Sequence, residues 1–450
     1  MKVLKFGGTS VGSTPAQLLA ARIIREELPS GGVVVVSALS GTTDLILKAI
    51  AASARGDLAA ASAGRAALEA RHWEAARALG LEGAVRPHWE PLLQSLGDLL
   101  QGMGLLWEAS PRSRDTALAV GETLSARLMA ALLVQEGLDA AFRDVREVIK
   151  TDGRHGRARP DLEAIAQAAQ DWRSALAPGA VWVTQGFLGL GPDGATTTLG
   201  RGGSDTSAAL LGEALGAAEV QIWTDVDGVL SADPSLVALA RPIPVMTLPE
   251  AAALSAFGAK VLHADALAPV RRAGFRLVVA NTHRPQAGRT VILPEAPARR
   301  PGEITSVAYK EGVSCLRVPP TADAEQLFQA STRLLEAGAS LYGLLATPDG
   351  GLLVARGETA DSEAVLADLA ASGLDVSRGW AVVALVGEGL RAAPGRALSL
   401  LGPLAAEPVA AILAGDTGVS LAFLVPEARL QDLIPRLHAH CIEHAQGVCP

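Results

Sequence analysis

The sequence predicts an α/β protein in which a mainly parallel sheet is sandwiched by helices, followed by a smaller α+β region. Short apolar runs that end in small polar residues alternate with helical patterns over the first two thirds of the chain, which is typical of a parallel sheet covered by helices. A stretch rich in Pro and Arg, residues 294–302, is a good linker. Strand-like and helix-like segments then recur in one order.

Five apolar runs are predicted to be buried parallel strands because each is short and bounded by Gly or polar residues. They are Val3–Leu4, Val33–Val36, Val181–Val183, Val220–Trp223 and Leu277–Ala280. Helical patterns lie between them at Gln17–Glu27, Leu45–Ala54 and Thr206–Ala217. The polar residues that follow the strands occupy the carboxyl edge of the sheet, where α/β proteins place their working residues.

The sequence divides into two predicted domains, 1–295 and 303–450. Residues 51–115, rich in Ala, Leu, Arg and Glu, are predicted to be a helical insertion without obvious chemistry. The second domain is predicted to contain two copies of a small α+β module. Its strand-like and helix-like segments are Val313–Val318, Ala324–Ala337, Leu352–Val354, Trp380–Val386, Ala397–Leu404, Val419–Val425 and Leu430–His440.

Charge and cysteine content restrict the partners and the compartment. The 450 residues include 39 Lys and Arg against 47 Asp and Glu, a net charge of −8, so there is no general attraction for nucleic acid or an anionic membrane. Three cysteines, Cys315, Cys441 and Cys449, do not make a disulfide framework. With neither a signal-peptide pattern nor an apolar run of about 18 residues, we expect a soluble cytoplasmic protein.

The strongest local pattern is the glycine-rich stretch Thr198–Asp205, which precedes a helix. A Gly-rich turn that opens a helix directs backbone N–H groups at an anion, and Arg201 adds a planar cation suited to a carboxylate or phosphate. Ser204 or Asp205 is alternatively the helix N-cap. Three glycines and an Arg exceed what a cap needs, so the pattern favours an anion site.

Lys5–Ser10 (KFGGTS) follows the first predicted strand. A Lys with two glycines can hold a phosphate between backbone and ammonium, although taken alone the stretch is better explained as a surface turn. The pattern is neither a Walker P-loop nor a dinucleotide fingerprint.

Other candidates are individually weaker. Glu122 follows a Gly in an apolar stretch, Lys260 lies beside Gly258, and His263 is explained best as a packed or capping residue. The acidic cluster at 225–233 is typical either of a loop that contacts Mg²⁺ or a nucleoside, or of a solvated turn. Cys and His residues lack metal-ligand spacing, and no nucleophile–base pair is supported.

Taken together, these segments resemble aspartate kinases, which have the amino acid kinase fold. The matching segments occur in family order: Lys5–Val11 (KFGGTSV), 36–38 (VSA), 121–122 (GE), 183–187 (VTQGF), 198–205 (TLGRGGSD), 222–228 (IWTDVDG) and 257–263 (FGAKVLH). The last third resembles the paired ACT regulatory domains of that family, most closely of its lysine-sensitive monofunctional type.

The resemblance implies transfer of the ATP γ-phosphoryl group to the β-carboxylate of L-aspartate, the first step toward lysine, threonine and methionine. An ionised carboxylate needs no general base, so positioning and charge neutralisation carry the reaction. The implied cofactors are ATP and Mg²⁺, the ion being held largely by phosphates and water. The implied catalytic residues are Lys5 and Asp205, and the substrate contacts are Thr43, Glu122 and Arg201. The implied ATP contacts are Lys5, Gly7, Gly8, Ser10, Ser204, Thr224, Asp225, Leu230, Ser235, Lys260 and Val261.

The chain departs from the family pattern near the nucleotide and in the regulatory region. Leu230 and Ser235 stand where relatives usually carry Tyr and Arg, and Ala264 replaces a Pro. In the stretch 338–342, Tyr342 stands where lysine-sensitive relatives carry a carboxylate that pairs with the lysine effector. Residues 347–349 stand where those relatives carry a later Ser-Glu pair. We therefore expect feedback by lysine to be weak, absent or directed at another ligand.

Two other functions are consistent with the resemblance. One is a related amino acid kinase that acts on acetylglutamate, glutamate or UMP, although Glu122 with Arg201 favours a zwitterionic amino acid. The other is a non-catalytic amino-acid sensor. Loss of Lys5 or Asp205 would support a sensor, but both residues are present. ACT domains usually pair across subunits, so a homodimer is expected, with an amino-acid effector at the ACT region.

Overall fold

The computed structural model describes residues 1–258, 262–295, 302–318, 324–347, 350–393, 402–414 and 418–443. They form two compact units. The first contains 1–229, 244–248 and 262–295, and the second contains 230–243, 249–258 and the described residues from 302 onward. Segments 230–243 and 249–258 thus pack with the second unit, although the sequence analysis placed them in the first domain.

The first unit is built on an eight-stranded sheet of order β3-β4-β2-β1-β7-β9-β10-β8, with β5 and β6 forming a separate hairpin. Its five central strands, β4, β2, β1, β7 and β9, are all parallel. Only β10 runs antiparallel to its neighbour β9. The strands are β1 Lys2–Phe6, β2 Gly32–Val36, β3 Ala140–Phe142, β4 Val181–Gln185, β5 Leu188–Leu190, β6 Thr196–Thr198, β7 Glu219–Thr224, β8 Val245–Thr247, β9 Arg276–Asn281 and β10 Thr290–Leu293.

Helices cover this sheet. They are α1 Thr14–Glu27, α2 Thr42–Ser53, α3 Leu58–Ala78, α4 Glu82–Leu106, α5 Pro111–Gln135, α6 Leu162–Ala175 and α7 Gly203–Leu215, and, after α8 Leu248–Ala256, α9 Leu267–Ala273. Residues 51–115 are thus occupied by α3, α4 and the adjoining ends of α2 and α5. The core is mostly Ala, Leu, Val and Ile, with Trp223 stacked on Phe6 at 6.0 Å.

Helix α5 crosses the middle of this unit. By length and composition it could cross a membrane, and it is the one such helix in the described part of the chain. Most of its residues are buried in the protein core, which explains its apolar composition without a membrane.

The second unit has one six-stranded antiparallel sheet of order β12-β13-β11-β14-β16-β15, rather than a separate sheet for each module. The long strands β11 and β14 pair at its centre. Its elements are β11 Ser306–Val318, α10 Ala324–Glu336, β12 Ser340–Thr347, β13 Gly350–Arg356, α11 Ala360–Ala371, β14 Asp375–Val386, α12 Gly389–Ala392, β15 Ala411–Ala414, β16 Ser420–Pro426 and α13 Leu430–His438.

Two apolar clusters lie in this unit, one under α10 and α11 and one under α13. Most of the helix expected at Ala397–Leu404 lies outside the described residues, and 402–404 form a 3₁₀ turn. Cys315 and Cys441 are buried free thiols, whereas Cys449 lies outside the described residues.

Buried polar contacts fasten segments 230–243 and 249–258 to the second unit. The His438 ring lies between Ser231 Oγ and Glu443 Oε1, at 2.8 Å from each, and is fully buried. The Glu250 carboxylate in α8 accepts hydrogen bonds from Thr305 Oγ1 at 3.0 Å and from the Glu388 N–H at 2.9 Å. These two segments are therefore integral parts of the second unit.

Candidate active site

The carboxyl ends of the five parallel strands meet at one edge of the first unit. Phe6 is level with Val36 on one side and with Trp223 on the other, and Thr224 is level with Asn281. The polar residues that follow these strands in the sequence are therefore neighbours. Because helix α7 begins at the same edge, its first turn faces the end of β1.

Lys5 and Asp205 form an ion pair at this edge. Lys5 lies near the end of β1 and is 7% exposed, while Asp205 lies in the first turn of α7. The Lys5 Nζ is 2.5 Å from Asp205 Oδ1. Most of the Lys5 side chain is removed from water, so its charge is screened little and acts strongly on nearby groups.

The segment after Lys5 folds closely against its neighbours. The N–H of Gly7 donates to Trp223 O at 3.1 Å, and the carbonyl of Gly8 accepts from Ser40 N at 3.2 Å. A Cβ on Gly8 would lie 3.0 Å from Ala38 O, so the glycine permits this approach. Ser10 is fully buried and donates to Trp223 O at 3.2 Å while accepting from Thr282 Oγ1 at 2.7 Å.

The glycine-rich turn leads directly into α7. Its N-cap is Gly202, with φ +71°, and no side chain caps the helix. The alternative that Ser204 or Asp205 is the N-cap is therefore wrong; the helix begins three residues before the predicted Thr206. Ser204 instead accepts a hydrogen bond from Ser37 Oγ at 2.9 Å.

His263 and Arg201 occupy different positions beside this turn. His263 caps the 3₁₀ turn Ala264–Ala266 through Nδ1, which agrees with its interpretation as a capping residue. A Cβ on Gly202 would lie 2.3 Å from the His263 Cβ, so the histidine packs on the turn. Arg201 is exposed, and within the described residues its guanidinium makes no ion pair.

Glu122 is a buried carboxyl in α5 that faces the end of β2. Its Oε2 accepts the Ala38 N–H at 2.8 Å. Burial raises the pKa of the Glu122 carboxyl to about 8, although the Ala38 N–H and the Lys5 ammonium lower it. A Cβ at Gly121 would lie 2.6 Å from Thr42 Cγ2, so that glycine lets α5 approach α2. Thr43, in the first turn of α2, is exposed.

The end of β7 places Thr224 and Asp225 at the same edge. Asp225 is exposed and accepts from Thr224 Oγ1 at 3.2 Å. Asn281, at the end of β9, donates to Asp225 O at 3.2 Å and to Asp227 Oδ1 at 2.6 Å. Asp227 also pairs with Arg284 at 2.7 Å. These contacts order the acidic loop.

Four expected nucleotide residues are not brought into this group by the first unit. Leu230 and Ser235 belong to the second unit, where Leu230 pairs with Pro242 and Ser235 Oγ donates to Asp233 Oδ1 at 2.6 Å. Lys260 and Val261 lie outside the described residues. The nucleotide roles of all four stay predictions.

Two residues near this edge, one of them at the end of the matching segment 183–187, were given no role of their own in the sequence. Phe187 has φ +72°, which costs energy for a residue with a Cβ. Its N–H donates to the buried Ser207 Oγ at 2.9 Å, and its carbonyl accepts Leu199 N at 2.9 Å. The other is the buried Asp115 in α5. Neither is marked by a local pattern, because their partners are distant in sequence.

The family profile that matches this chain is that of the amino acid kinase family, over residues 1–281. The lysine-sensitive aspartokinase 3 of Escherichia coli K12 is 32% identical over 461 aligned positions, covering 98% of this chain and 99% of the relative. The chain belongs to the aspartokinases of the amino acid kinase family.

Solved aspartokinase structures resemble this fold. E. coli aspartokinase III in complex with aspartate and ADP matches with a TM-score of 0.83 and 31% identity, covering 98% of this chain and 99% of that one. The same enzyme in complex with lysine and aspartate matches with a TM-score of 0.79 and 30% identity, over the same shares. The predicted fold class and the resemblance to aspartate kinases are confirmed.

In this aspartokinase, the buried Glu122 is expected to make stability depend on pH. Because its folded pKa is about 8, against 4.5 for the ordinary side chain, folding takes up a proton between those pH values. Stability therefore falls as pH rises from 4.5 to 8. Glu122→Gln removes this proton uptake. Between pH 4.5 and pH 8 the free energy of unfolding of the variant, measured relative to that of the wild type, should therefore rise by up to about 5 kcal/mol.

Urea unfolding of both proteins at pH 5 and pH 9 measures this difference. A constant difference in unfolding free energy between the two pH values would contradict the buried neutral carboxyl. Glu108→Gln is a matched control, since Glu108 is an exposed residue near the start of the same helix.

Proposed function

We propose that this aspartokinase transfers the γ-phosphoryl group of ATP to the β-carboxylate of L-aspartate at the carboxyl edge of the first sheet, giving 4-phospho-L-aspartate. The observation that carries this proposal is the buried Lys5–Asp205 ion pair beside the Gly7–Gly8 backbone. A further support is that the E. coli relative, which matches this chain over 99% of its own length, has been solved with aspartate and ADP.

The reaction joins two anions, so its main requirement is charge neutralisation. The β-carboxylate of aspartate is ionised at pH 7, because the pKa of a free carboxyl is about 4. It attacks the γ-phosphorus, and the bond to the β,γ-bridging oxygen breaks. We assign to Lys5 the stabilisation of charge on the transferring phosphoryl group and to Asp205 the orientation of the Lys5 ammonium.

Three residues are assigned to the amino acid. Arg201 pairs with the α-carboxylate, Glu122 with the ammonium, and the exposed Thr43 hydroxyl donates a hydrogen bond to the substrate. The Arg201 guanidinium is exposed and makes no ion pair within the described part of the chain, which supports the first assignment. Because the pKa of Glu122 is about 8 in the free protein, an arriving ammonium would displace the proton that this carboxyl carries at neutral pH.

Nucleotide contacts are assigned to the ends of β1 and β7 and the start of α7. The residues are Lys5, Gly7, Gly8, Ser10, Ser204, Thr224 and Asp225, with Leu230, Ser235, Lys260 and Val261 from the segments that follow. Among the described residues no group of three or more His, Cys, Asp or Glu is placed to hold a metal ion. We assign Mg²⁺ to the phosphates of ATP and to water, its usual ligands in such sites.

We assign the second unit to two ACT-like regulatory modules that respond weakly or not at all to lysine. Tyr342 stacks on Phe257 with ring centroids 6.2 Å apart. Burial raises the pKa of Tyr342 to about 12, with a contribution from Glu358, so its hydroxyl is neutral at pH 7. Glu358 itself pairs with Arg356 and lies 3.7 Å from Lys310. Tyr342 itself offers no carboxylate to a lysine ammonium; Pro348 and Asp349 lie outside the described residues.

Tyr342→Asp is expected to lower the dissociation constant for lysine by about tenfold or more, since a charged hydrogen bond to the ammonium is restored. Tyr342→Phe is the matched control and should leave lysine binding as weak as in the wild type. Isothermal titration calorimetry on the full chain measures both. Tight lysine binding by the wild type, with strong inhibition of the kinase, would overturn the proposal.

We further propose that the enzyme is a cytoplasmic homodimer that supplies the pathway to lysine, threonine and methionine. No nucleic acid or membrane partner is assigned, in keeping with the net charge of −8. Sedimentation equilibrium of the full chain tests the assembly.

The reaction itself is tested by a hydroxamate assay for aspartyl phosphate with ATP, Mg²⁺ and L-aspartate, with and without lysine and threonine. Aspartate-dependent product is the expected result. Parallel reactions with acetylglutamate and glutamate in the same assay, and with UMP followed by the release of ADP, test the related kinases. A folded protein that binds aspartate and gives no product would instead support the amino-acid sensor and implicate Leu230 and Ser235.

A further inference from the structure

Asp115 is a buried carboxylate that the proposed reaction does not use. It lies in the second turn of α5 and is 1% exposed. Thr198 donates to it twice, from Oγ1 at 2.7 Å and from the backbone N–H at 3.2 Å. The Gly156 N–H donates at 3.0 Å, and His155 Nδ1 lies 2.9 Å from Oδ2. The Thr198 hydroxyl and the backbone N–H groups of Thr198 and Gly156 all donate to this carboxylate.

These bonds join three segments that are far apart in sequence: helix α5, the loop around Gly156 and the end of β6. Thr198 is the last residue of β6, and the glycine-rich turn begins with the next residue. The loop around Gly156 also contacts the glycine-rich turn and the residue before it. Ala158 N donates to Thr198 O at 2.8 Å, and a Cβ on Gly200 would lie 3.3 Å from Gly156 O.

The turn has a hydrogen bond of its own, from Gly203 N to Gly200 O at 3.0 Å, and these external contacts add to it. Gly200 and Gly202 have φ values of +80° and +71°, and glycine pairs of this kind have many alternative conformations. Arg201 between them is exposed and makes no ion pair within the described residues, so its own side chain does not fix its place. The backbone on the α5 side is fixed by Asp115.

We propose that Asp115 is a positioning residue for the amino-acid substrate: its carboxylate fixes the start of the glycine-rich turn and so places the Arg201 guanidinium for the substrate α-carboxylate. This inference rests on the substrate role assigned to Arg201 under the proposed function. Asparagine does not replace aspartate here, because its amide nitrogen, placed at either oxygen position, would face the Gly156 N–H, which lies 3.2 Å from Oδ1 and 3.0 Å from Oδ2 and can only donate.

Asp115→Asn is expected to raise the KM for aspartate by about tenfold to a hundredfold, the cost of misplacing a binding group, and to leave the KM for ATP unchanged. The decisive measurement is a double-mutant cycle with Arg201→Ala on the full-length enzyme. If Asp115 acts through Arg201, Asp115→Asn adds no further increase in the KM for aspartate once the guanidinium is absent.

Thr197→Val is the matched control. Thr197 is a fully buried neighbour on β6 whose Oγ1 bonds to Thr151 Oγ1 at 2.8 Å rather than to Asp115, and the KM for aspartate should be unchanged. Thr198→Val removes only the hydroxyl donor and should raise that KM by a few fold. This milder variant keeps the test available if Asp115→Asn does not fold.

The possible outcomes distinguish the positioning role of Asp115 from the substrate role of Arg201. If Arg201→Ala raises the KM for aspartate but neither Asp115→Asn nor Thr198→Val does, the inference fails and the substrate assignment stands. Equal increases from Asp115→Asn in the wild-type and Arg201→Ala backgrounds would show a general structural role and also overturn it. An unchanged KM in Arg201→Ala alone would refute the substrate assignment and the inference with it.

Discussion

Lys5→Met is expected to lower kcat by about 10²–10³-fold, the usual cost of losing one preorganised group that stabilises developing charge. Methionine keeps the unbranched stem but lacks the ammonium that lies 2.5 Å from Asp205 Oδ1. Kinetics with the hydroxamate assay at saturating ATP and aspartate measure the effect. The loss should be in kcat, because the ammonium acts most strongly on the transferring phosphoryl group.

This substitution also leaves Asp205 without its cation, and a partly buried unpaired carboxylate destabilises the fold. The double variant Lys5→Met with Asp205→Asn separates the two effects, since it should recover thermal stability without recovering kcat. Lys2→Met is the control on the same strand; Lys2 pairs with Glu27 near the opposite end of β1, and its loss should leave kcat unchanged. A Lys5→Met enzyme within tenfold of the wild type would refute the catalytic assignment.

Arg201→Ala is expected to raise the KM for aspartate by about a hundredfold and to change the KM for ATP little. A guanidinium that bonds a carboxylate through two N–H groups contributes on the order of 3 kcal/mol. Arg201→Lys keeps the charge but loses the planar pair of donors, so its KM should lie between those of the wild type and the alanine variant.

The control is Arg112→Ala. Arg112 is also an exposed arginine of the first unit, and it forms a surface ion pair with Asp193 at 3.1 Å. Its removal should leave both KM values unchanged, since such pairs contribute little. Equal effects of the two substitutions would indicate a general effect of surface charge rather than a contact with the substrate.

The central sheet was predictable because its signals are local. Runs such as Val33–Val36 are apolar over the length of a buried strand, and all five predicted parallel strands are present. Polar residues at their carboxyl ends had to meet once the strands were parallel, so the closeness of Lys5 to the start of α7 followed from topology. The roles of these side chains stay predictions.

Contacts between residues far apart in sequence, and the backbone conformation of single residues, could not be predicted. The cap of α7 is Gly202 in a left-handed conformation. The sequence does not reveal this, because Ser204 and Asp205 are residue types that commonly cap helices. The contacts of Asp115 involve residues about 40 and 80 positions away, and no periodicity marks them. Similarly, Ser231 gives no sign in its own neighbourhood that its partner is His438, 207 residues later.

The interleaving of the two units bears on how such a protein can be rearranged in evolution. Because the second unit draws on 230–243 and 249–258 as well as the chain beyond 302, a single crossover in the gene could not transfer it to another enzyme without also transferring 244–248 and 262–295 of the first unit. A chain ending at 295 would lose the contact of Ser231 with His438, the contact of Glu250 with Thr305, and much of the apolar cluster that contains Ala232 and Val237. Gain or loss of this unit as a cassette is therefore disfavoured, and divergence is expected to proceed by substitutions such as the one at Tyr342.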